Sequence, residues 1–374
     1  MSNEMNIMKM NVGEMINLMT PLYAKANPID IPSLMLWGPP GIGKSQAFRG
    51  IAKKLEEITH KTINVIDVRL LLFNPVDLRG IPAPYEQEIE VDGKIVKEKL
   101  AKWLKPQLFQ MSADPNVINI LILDEISAAP LSVQAAAYQI TLDRIIGEHK
   151  LPDNCIVVAA GNRLTDKSVS YKMPKALGNR MTHIEIGCDV DDWKKWAIPF
   201  GIDARIIGYI NWRNTALFDF DPNNDNVAYP TPRSWEMVDK YLKQFDSIDT
   251  CFPLIAGSIG LGAATEFRSY SKVFHKLPNI QAIFEGTETS VPKEPDVLYA
   301  LSAALGSRVS KVIEEKESIR RAQLANLIKY TINMPAEFAT LTIKDMVVID
   351  KVRNEMLRLP EWIEWCKKYK NFIM

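Results

Sequence analysis

The sequence has no excess of charge of either sign. Lysine plus arginine and aspartate plus glutamate both number 45, so the formal net charge at pH 7 is zero. Proteins that hold nucleic acid through its phosphates need a basic surface. The composition does not predict such a surface and does not favour a nucleic-acid partner, although it leaves a local basic face open.

Cysteine and long hydrophobic runs are also scarce. The four cysteines are too far apart in sequence for a metal-binding or redox pair, and at least two fall within apolar stretches, as reduced core cysteines do: Cys155, Cys188, Cys251 and Cys366. No apolar stretch reaches the roughly 18 residues of a membrane span, and no signal peptide opens the chain. We therefore expect a soluble, cytoplasmic protein without a membrane span.

A phosphate-binding loop is the strongest motif present. The stretch LWGPPGIGKSQ, residues 36–46, fills the pattern G-x-x-x-x-G-K-S. In this pattern backbone N–H groups surround phosphates, the lysine reaches the β and γ oxygens, and the serine hydroxyl binds Mg²⁺. We therefore predict an ATP site formed by nine residues: Gly38, Pro39, Pro40, Gly41, Ile42, Gly43, Lys44, Ser45 and Gln46.

The residues on either side of this loop support the interpretation. Ser33–Trp37 is a short apolar run that predicts a buried strand, and residues 46–59 place apolar side chains at helical spacing. Strand, glycine-rich turn and helix then follow in the order that directs backbone amides and the helix dipole at an anion. The alternative is an ordinary Gly/Pro turn before a surface helix.

A second predicted strand ends in two acids. The stretch INILILDE, residues 118–125, is a nearly unbroken apolar run, typical of a parallel strand that is buried on both faces. Its acids would lie at the carboxyl edge of the sheet, where ligands bind. There Asp124 would hold Mg²⁺ through its water shell, and Glu125 would take the proton from the attacking water. Two acids after a strand also occur by chance.

A third predicted strand, CIVVAAGNR at residues 155–163, leads into a polar residue. In nucleotide hydrolases whose corresponding strand lies between the two motif strands, such a residue orients the lytic water against the γ-phosphate. We predict this role for Asn162. An ordinary turn after Gly161 is the alternative.

Together these segments resemble the MoxR branch of the AAA+ ATPases. The resemblance extends over residues 20 to about 310 and rests on six stretches: LWGPPGIGKS, VRLLLFNPVDLRGIP, ILILDEISAAP, GEHKLPDNCIVVAAGNR, MPKALGNRMTHIEI and YPTPRSWE. DLRGIP and GEHKLPDN separate this branch from most other AAA+ groups. The resemblance implies a ring-forming, chaperone-like ATPase, usually hexameric, that often works beside a partner with a von Willebrand factor A domain.

The resemblance also gives a role to an arginine in ALGNRM. Arg180 resembles the arginine that reaches the nucleotide of the neighbouring subunit, although Met181 stands where many relatives have phenylalanine. Other basic residues nearby compete for this role, namely Arg163, Lys172 and Lys175.

Arg233, in YPTPRSWE, is informative on physical grounds as well. Thr231 is predicted to be a helix N-cap and Pro232 the first helical residue. A cation in the first turn opposes the helix dipole, typically by about 0.3–1 kcal/mol. An anionic partner would offset this cost, and in the family resembled here the sensor 2 arginine of the small domain touches the nucleotide from this place. A plain surface arginine is the alternative.

Two short stretches predict β-hairpins inserted into the core. In EIEVDGKIVKE the dipeptide Asp92-Gly93 is a turn signal that places Ile89 opposite Val96 and Glu88 opposite Lys97. RIIGEHKLP offers a second hairpin around Gly147-Glu148. The resemblance implies that both insertions lie on one face of the ring near its pore and touch the substrate, while either could equally be a surface ornament.

One motif points in another direction. DKSVS, residues 166–170, matches the D-x-S-x-S metal site of von Willebrand factor A domains. That site needs its aspartate directly at the end of an apolar strand, whereas Asp166 follows the polar loop GNRLT. We interpret the match as coincidence, so a von Willebrand factor A domain, if used, belongs to another chain.

These observations predict three regions. Residues 1–188 form an α/β P-loop AAA+ core with a parallel sheet and hairpin insertions near 86–98 and 144–152. Residues 189–275 form an all-α lid that carries Arg233, and ATP with Mg²⁺ would sit between core and lid. Residues 276–374 form a helical C-terminal extension, in which PEWIEWCKKYKNF either binds nucleic acid or is an amphipathic helix that docks on a domain.

The predicted function is ATP hydrolysis by a ring of identical subunits that remodels a protein partner or complex. Two alternatives remain open from the sequence. An AAA+ motor acting on nucleic acid would share every nucleotide-binding residue, but its loops should be basic. An ATP-gated scaffold would not need Lys44, Asp124, Glu125 and Asn162 together.

Overall fold

The computed structural model describes residues 7–91, 94–166, 171, 173 and 178–370. The chain divides into two compact units, Met1–Gly187 and Cys188–Met374. The first unit has a parallel sheet with helices, and in the described residues of the second unit every regular element is a helix. The predicted fold class, an α/β P-loop core followed by helices, is therefore confirmed. Among the described residues, no helix combines the length and hydrophobicity that crossing a membrane requires.

The first unit is built on a six-stranded parallel sheet with the order β1-β10-β2-β9-β6-β3. The described strands of the first unit, including four that form two separate hairpins, are β1 (Lys9–Met10), β2 (Ser33–Trp37), β3 (Thr62–Arg69), β4 (Ile81–Val91), β5 (Lys94–Leu104), β6 (Val117–Asp124), β7 (Ile145–Ile146), β8 (His149–Lys150), β9 (Cys155–Gly161) and β10 (Met181–Ile186). Its described helices are α1 (Val12–Lys25), α2 (Lys44–Thr59), α3 (Pro75–Arg79) and α4 (Leu131–Tyr138).

The strand order explains where the motifs meet. Every residue of β2 and of β9 is buried, and β6 is buried except at its ends, as expected for central strands covered on both faces. β9 lies between β2 and β6. Because parallel strands end at the same edge of a sheet, the loop after β2, the acids that end β6 and Asn162 after β9 are brought side by side.

Both predicted hairpins are present. β4 and β5 pair antiparallel, with Glu88 opposite Lys97 and Ile89 opposite Val96, which confirms the predicted register. Their turn, residues 92–93, lies outside the described residues. β7 and β8 form the second hairpin, with Ile146 opposite His149.

The second unit has two hydrophobic cores that share one helix. Its helices are α5 (Val190–Phe200), α6 (Ala204–Trp212), α7 (Pro232–Gln244), α8 (Ile248–Ile259), α9 (Leu261–Ser271), α10 (Ile280–Glu285), α11 (Pro295–Val312), α12 (Glu317–Ile332), α13 (Ala336–Val347), α14 (Asp350–Met356) and α15 (Pro360–Lys368). α11 contributes Val297 and Ala300 to one core but Leu298 and Leu301 to the other. A boundary near 275 therefore stays a proposal.

Aromatic packing fixes the last helix, α15. Trp365 is 1% exposed, and Trp362 stacks on it with ring centroids 5.2 Å apart. Lys368 Nζ donates a hydrogen bond to the carbonyl of Ile332 in α12. The aromatic side chains among the lysines thus dock the helix on the second unit.

Candidate nucleotide-binding site

The loop between β2 and α2 has a backbone that only glycine adopts readily. Gly38, Gly41 and Gly43 have φ values of +152°, +80° and +97°, in the region that side chains with a Cβ disfavour. A Cβ on Gly38 would also lie 2.8 Å from the carbonyl oxygen of Ile186 in β10. The glycines of the motif are therefore required by the local geometry and by close contact with the neighbouring strand.

Helix α2 begins at Lys44 without a side-chain cap. Its N-cap residue is Gly43, and no acidic residue lies in the first turn. The first N–H groups of a helix have no partner within the helix, and together with the helix dipole they attract an anion. The start of α2 therefore offers amide donors to a phosphate.

Lys44 is buried at the edge of the sheet, with 9% of its surface exposed. Its Nζ donates hydrogen bonds to the carbonyls of Gly38 and Pro39, at 2.7 and 2.8 Å, and to Oδ1 of Asn162 at 2.9 Å. These neutral oxygens hold the ammonium group where the ends of β2 and β9 meet. The predicted lysine and the predicted polar residue after β9 are thus in direct contact.

Ser45 and Asp124 form the second link between motifs. Ser45 Oγ donates to Oδ2 of Asp124 at 2.6 Å, and Oδ1 of Asp124 accepts from the backbone N–H of Glu125 at 2.8 Å. Hydroxyl and carboxylate oxygens are ligands that Mg²⁺ accepts, directly or through water. Because the two oxygens already adjoin each other, this pair fits a Mg²⁺ ion held beside a phosphate.

Glu125 has an unusual backbone conformation. Its φ is +57°, a left-handed value uncommon for residues other than glycine, and such strain often accompanies functional sites. Its side chain is half-buried, and among the described residues its carboxylate has no hydrogen-bond partner. The geometry therefore leaves this carboxylate open to accept a proton, directly after the Asp124 that contacts Ser45.

Ser127 supports the site and was not predicted from the sequence. Its Oγ accepts a hydrogen bond from the backbone N–H of Asn162 at 2.9 Å, and a Cβ on Gly161 would lie 2.8 Å from the same oxygen. Ser127 is 1% exposed. It ties the loop after β6 to the loop after β9, and the only local signal for it was a small polar residue two positions after Glu125.

The guanidinium of Arg163 is bonded to two carboxylates within the first unit. Its guanidinium donates to Asp166 at 2.7 Å and to Glu185 at 2.6 Å. Burial acts to lower the pKa of Arg163, but the bonds and charges of these two carboxylates outweigh it and raise the pKa. An arginine matched by two acids is poorly suited to reach a neighbouring subunit. The other predicted competitors, Lys172 and Lys175, lie outside the described residues.

The same contact accounts for Asp166, the first residue of DKSVS. Asp166 is 3% exposed and bonded to Arg163, so its charge is neutralised by an arginine. Residues 167–170 lie outside the described part of the chain. Within that described part, no group of three or more His, Cys, Asp or Glu residues could hold a metal ion.

Arg180 is exposed just before β10, and it makes no hydrogen bond or ion pair within the described part of the chain. The segment that carries it is tied to the nucleotide loop through His183. Trp37 Nε1 donates to His183 Nδ1 at 2.9 Å, and His183 Nε2 lies 2.6 Å from the carbonyl oxygen of Gly178. These two bonds require a neutral imidazole with its proton on Nε2. No local sequence pattern indicates this link.

Arg233 lies in the second unit, in the first turn of α7. Thr231 is the N-cap, with its side chain accepting from the backbone N–H of Ser234, and Pro232 is the first helical residue, which confirms both predictions. Arg233 is exposed, and no ion pair of its guanidinium occurs among the residues described. Its role in nucleotide binding stays a prediction.

Fold and site together define a P-loop nucleotide-binding protein. Residues 34–187 match the family described as ATPase family associated with various cellular activities (AAA). The match extends from β2 to the end of β10 and does not include the second unit. No curated protein matches the chain at a significant level.

Solved structures show a distant likeness only. A RuvB mutant from Thermotoga maritima is 15% identical, with 84% of this chain and 87% of that chain covered and a TM-score of 0.35. NtrX from Brucella abortus in complex with ATP is 12% identical, with 92% of this chain and 68% of that chain covered and a TM-score of 0.32. At these values the likeness carries no argument about activity.

Proposed function

We propose that this chain is an ATP-hydrolysing ring ATPase of the MoxR branch, which remodels a protein partner or complex beside a protein with a von Willebrand factor A domain. The observation that carries the proposal is the pair of contacts between motifs. Lys44 bonds to Asn162 and Ser45 bonds to Asp124, although each pair is far apart in sequence. The residues proposed for phosphate binding, ion binding and water positioning therefore lie together at one edge of the sheet, which supports the proposal.

The first step is the binding of ATP by residues 38–46. Backbone amides at the start of α2 and the Lys44 ammonium would hold the phosphates. Mg²⁺, held beside Ser45 and Asp124, would neutralise charge on the phosphate oxygens. Arg233 would contact the nucleotide from the second unit.

Hydrolysis then needs a positioned water and a base. Asn162 would orient the attacking water, and the open carboxylate of Glu125 would take its proton. Arg180, exposed and without a described partner, would stabilise the transition state in the neighbouring copy, as arginines supplied in trans do. This division of the site between copies implies a homo-oligomeric ring, which we propose is hexameric.

The test of the chemistry is Glu125→Gln, which keeps the size and polarity of the side chain but removes the base. We expect ATP affinity to stay within a few-fold of the original, while turnover falls by roughly 10²–10⁴. Fluorescent-nucleotide titration and phosphate release measure the two quantities separately. Equal losses of binding and turnover would contradict the assignment of Glu125.

A second assay separates this function from the two alternatives. Phosphate release is measured alone, with single-stranded DNA and with protein extracts. A nucleic-acid motor should be stimulated by DNA, and a scaffold should release no phosphate above background. We expect turnover that DNA leaves unchanged, because the lysines of β5 are balanced by the glutamates of β4 and β5.

A further inference from the structure

The hairpin β4–β5 exposes apolar side chains and the backbone groups of its two strand edges. Its eleven residue pairs form a two-stranded sheet, so each strand has one unpaired edge in the described structure. Exposed long edges invite pairing with another chain. One face carries Gln87, Glu98 and Lys102 together with six large apolar side chains that are mostly exposed, Ile81, Tyr85, Ile89, Val96, Leu100 and Leu104.

Two observations show which residues present their backbone to the outside. The carbonyl of Trp103 in β5 accepts a hydrogen bond from His149 Nε2 at 2.9 Å, so this carbonyl points away from β4. Its opposite residue is Pro82, which has no N–H to donate. Because backbone groups alternate in direction along a strand, the outer edges are formed by even residues of β4 and odd residues of β5.

These outer edges carry opposite charges. Glu86, Glu88 and Glu90 lie on the edge of β4, and Lys97 and Lys99 lie on the edge of β5. Strand β4 contains no basic residue, whereas the whole of β5 contains four lysines and one glutamate. Pro82 and Pro84 remove the amide donors from the base of the β4 edge, so pairing is available on the half that carries the charges.

The charge separation selects one mode of self-association. In a two-fold dimer the same edge meets itself, which sets glutamates against glutamates or lysines against lysines, and like charges across a strand pair are destabilising. In a head-to-tail arrangement the β5 edge of one copy meets the β4 edge of the next, which pairs lysine with glutamate. Rotational symmetry keeps the hairpins pointing the same way, so that this junction is antiparallel and repeats around the ring.

We propose that the β4–β5 hairpin docks on the same hairpin of a second copy of this chain, with β5 of one copy paired to β4 of the next. The proposal rests on the ring assembly of the proposed function. It adds an inter-subunit sheet along which the exposed apolar side chains of one face repeat from copy to copy. It also gives a strand partner to each hairpin edge that lacks one within the described part of the chain.

Cross-linking tests this junction directly. Each chain carries one introduced cysteine, so that no disulfide can form within a hairpin. Cys188 and Cys366, the two native cysteines that are not fully buried, are replaced by alanine. Glu88→Cys is mixed in turn with Ile95→Cys, Lys97→Cys and Lys99→Cys, which covers neighbouring registers, in the presence of ATP. We expect at least one mixture to give a disulfide between different chains in most molecules, because paired strands bring Cα atoms about 5.5 Å apart.

Two controls decide the outcome. Gln87→Cys mixed with the same three variants should give at least ten-fold less product, because its side chain lies on the opposite face. Glu88→Cys alone should give no dimer, and a dimer there would indicate two-fold pairing and overturn the proposal. Assembly in ATP by sedimentation, with cross-linking no greater than in the Gln87→Cys control, would overturn this inference but leave the proposed function intact. A chain that stays monomeric would overturn both.

Charge inversion provides an independent test. Glu86→Lys with Glu88→Lys, and separately Lys97→Glu with Lys99→Glu, should each raise the dissociation constant for assembly by roughly 3–30-fold. Mixed together, the two variants should assemble about as well as the original protein, because the basic edges of one variant then pair with the acidic edges of the other. Like charges inside each hairpin remain in the mixture, so recovery reports the junction between copies. Equal weakness of the mixture and the separate variants would contradict the proposal.

Discussion

Two buried lysines, one in each unit, are held in different ways. Lys44 in the first unit is bonded by the carbonyls of Gly38 and Pro39 and by the amide oxygen of Asn162. Lys194 in the second unit has a side chain that is 3% exposed and lies 2.7 Å from Asp345 and 3.3 Å from Asp191. The neutral oxygens orient the ammonium group of Lys44, whereas the carboxylates around Lys194 also neutralise the charge of that lysine.

The contacts between Lys194 and its two aspartates, which we call the structural cluster, hold helices together. Asp345 is completely buried and also accepts a hydrogen bond from Asn211 at 3.1 Å. Burial raises the pKa of Asp345, although Lys194 acts in the opposite direction. The pair joins α5 to α13, 151 residues apart. Buried ion pairs add little net stability, but removal of one partner is costly, so this contact fixes how the helices meet.

Burial alone therefore does not distinguish a lysine arranged for binding from one arranged for packing. The partners do. A lysine at the edge of a sheet, oriented by neutral oxygens and next to a helix start, is arranged for an anion. A lysine between two helices and bonded to carboxylates is arranged for packing. Variants of Asp345 and Lys44 test this distinction, and variants of Arg180 and His183 test the site around Lys44.

The largest effect is expected at Arg180, which we propose acts on the nucleotide of a neighbouring copy. Arg180→Ala should bind ATP normally but lose roughly 10³–10⁵ in turnover, measured by phosphate release. Mixed with Glu125→Gln, it should partly regain activity as protein concentration rises, because some interfaces then combine an intact Glu125 with an intact Arg180. Lack of recovery while light scattering detects mixed oligomers would show that Arg180 does not act in trans.

The next largest effect is expected in the structural cluster. Asp345→Ala leaves Lys194 without its buried partner and should lower the free energy of unfolding by about 3–5 kcal/mol. Urea denaturation, followed by a spectroscopic signal from the second unit, measures this loss. The matched control replaces both partners, Lys194→Met with Asp345→Leu, and should recover most of this loss. A loss below about 1 kcal/mol in Asp345→Ala would show that the pair is dispensable.

Removal of the other lysine should affect binding more than stability. Lys44→Ala loses charge-assisted hydrogen bonds to phosphate, each worth about 1.5–3 kcal/mol, so ATP affinity should fall roughly 10–150-fold. Its free energy of unfolding without nucleotide should change less than that of Asp345→Ala. Unchanged ATP affinity, measured by titration calorimetry, would remove the distinction between the two lysines.

The smallest effect is expected at His183, which links the nucleotide loop to the Arg180 segment. His183→Phe keeps an aromatic ring beside Trp37 but loses both hydrogen bonds, worth about 0.5–1.5 kcal/mol each, and should lower turnover roughly 3–10-fold. If His183 acts by positioning Arg180, the same change in an Arg180→Ala background should have little further effect. Additive losses would indicate a general effect on folding instead.

Local sequence patterns determined much of this protein. The glycine-rich loop, the buried strands before Gly38 and Asp124, the cap at Thr231 and the register of Glu88 with Lys97 were all predictable. Each depends on residues close together in the chain, where the period of apolar side chains, the φ preference of glycine and the geometry of a short turn leave few choices.

Only the tertiary structure decided which distant residues meet. Lys44 contacts Asn162 across 118 positions, Trp37 contacts His183 across 146, and Lys194 contacts Asp345 across 151. Spacing along the chain carries no information about such partners. They follow from the order of strands in the sheet and from the packing of helices around a shared core, because those arrangements bring chain segments together whatever their separation in sequence.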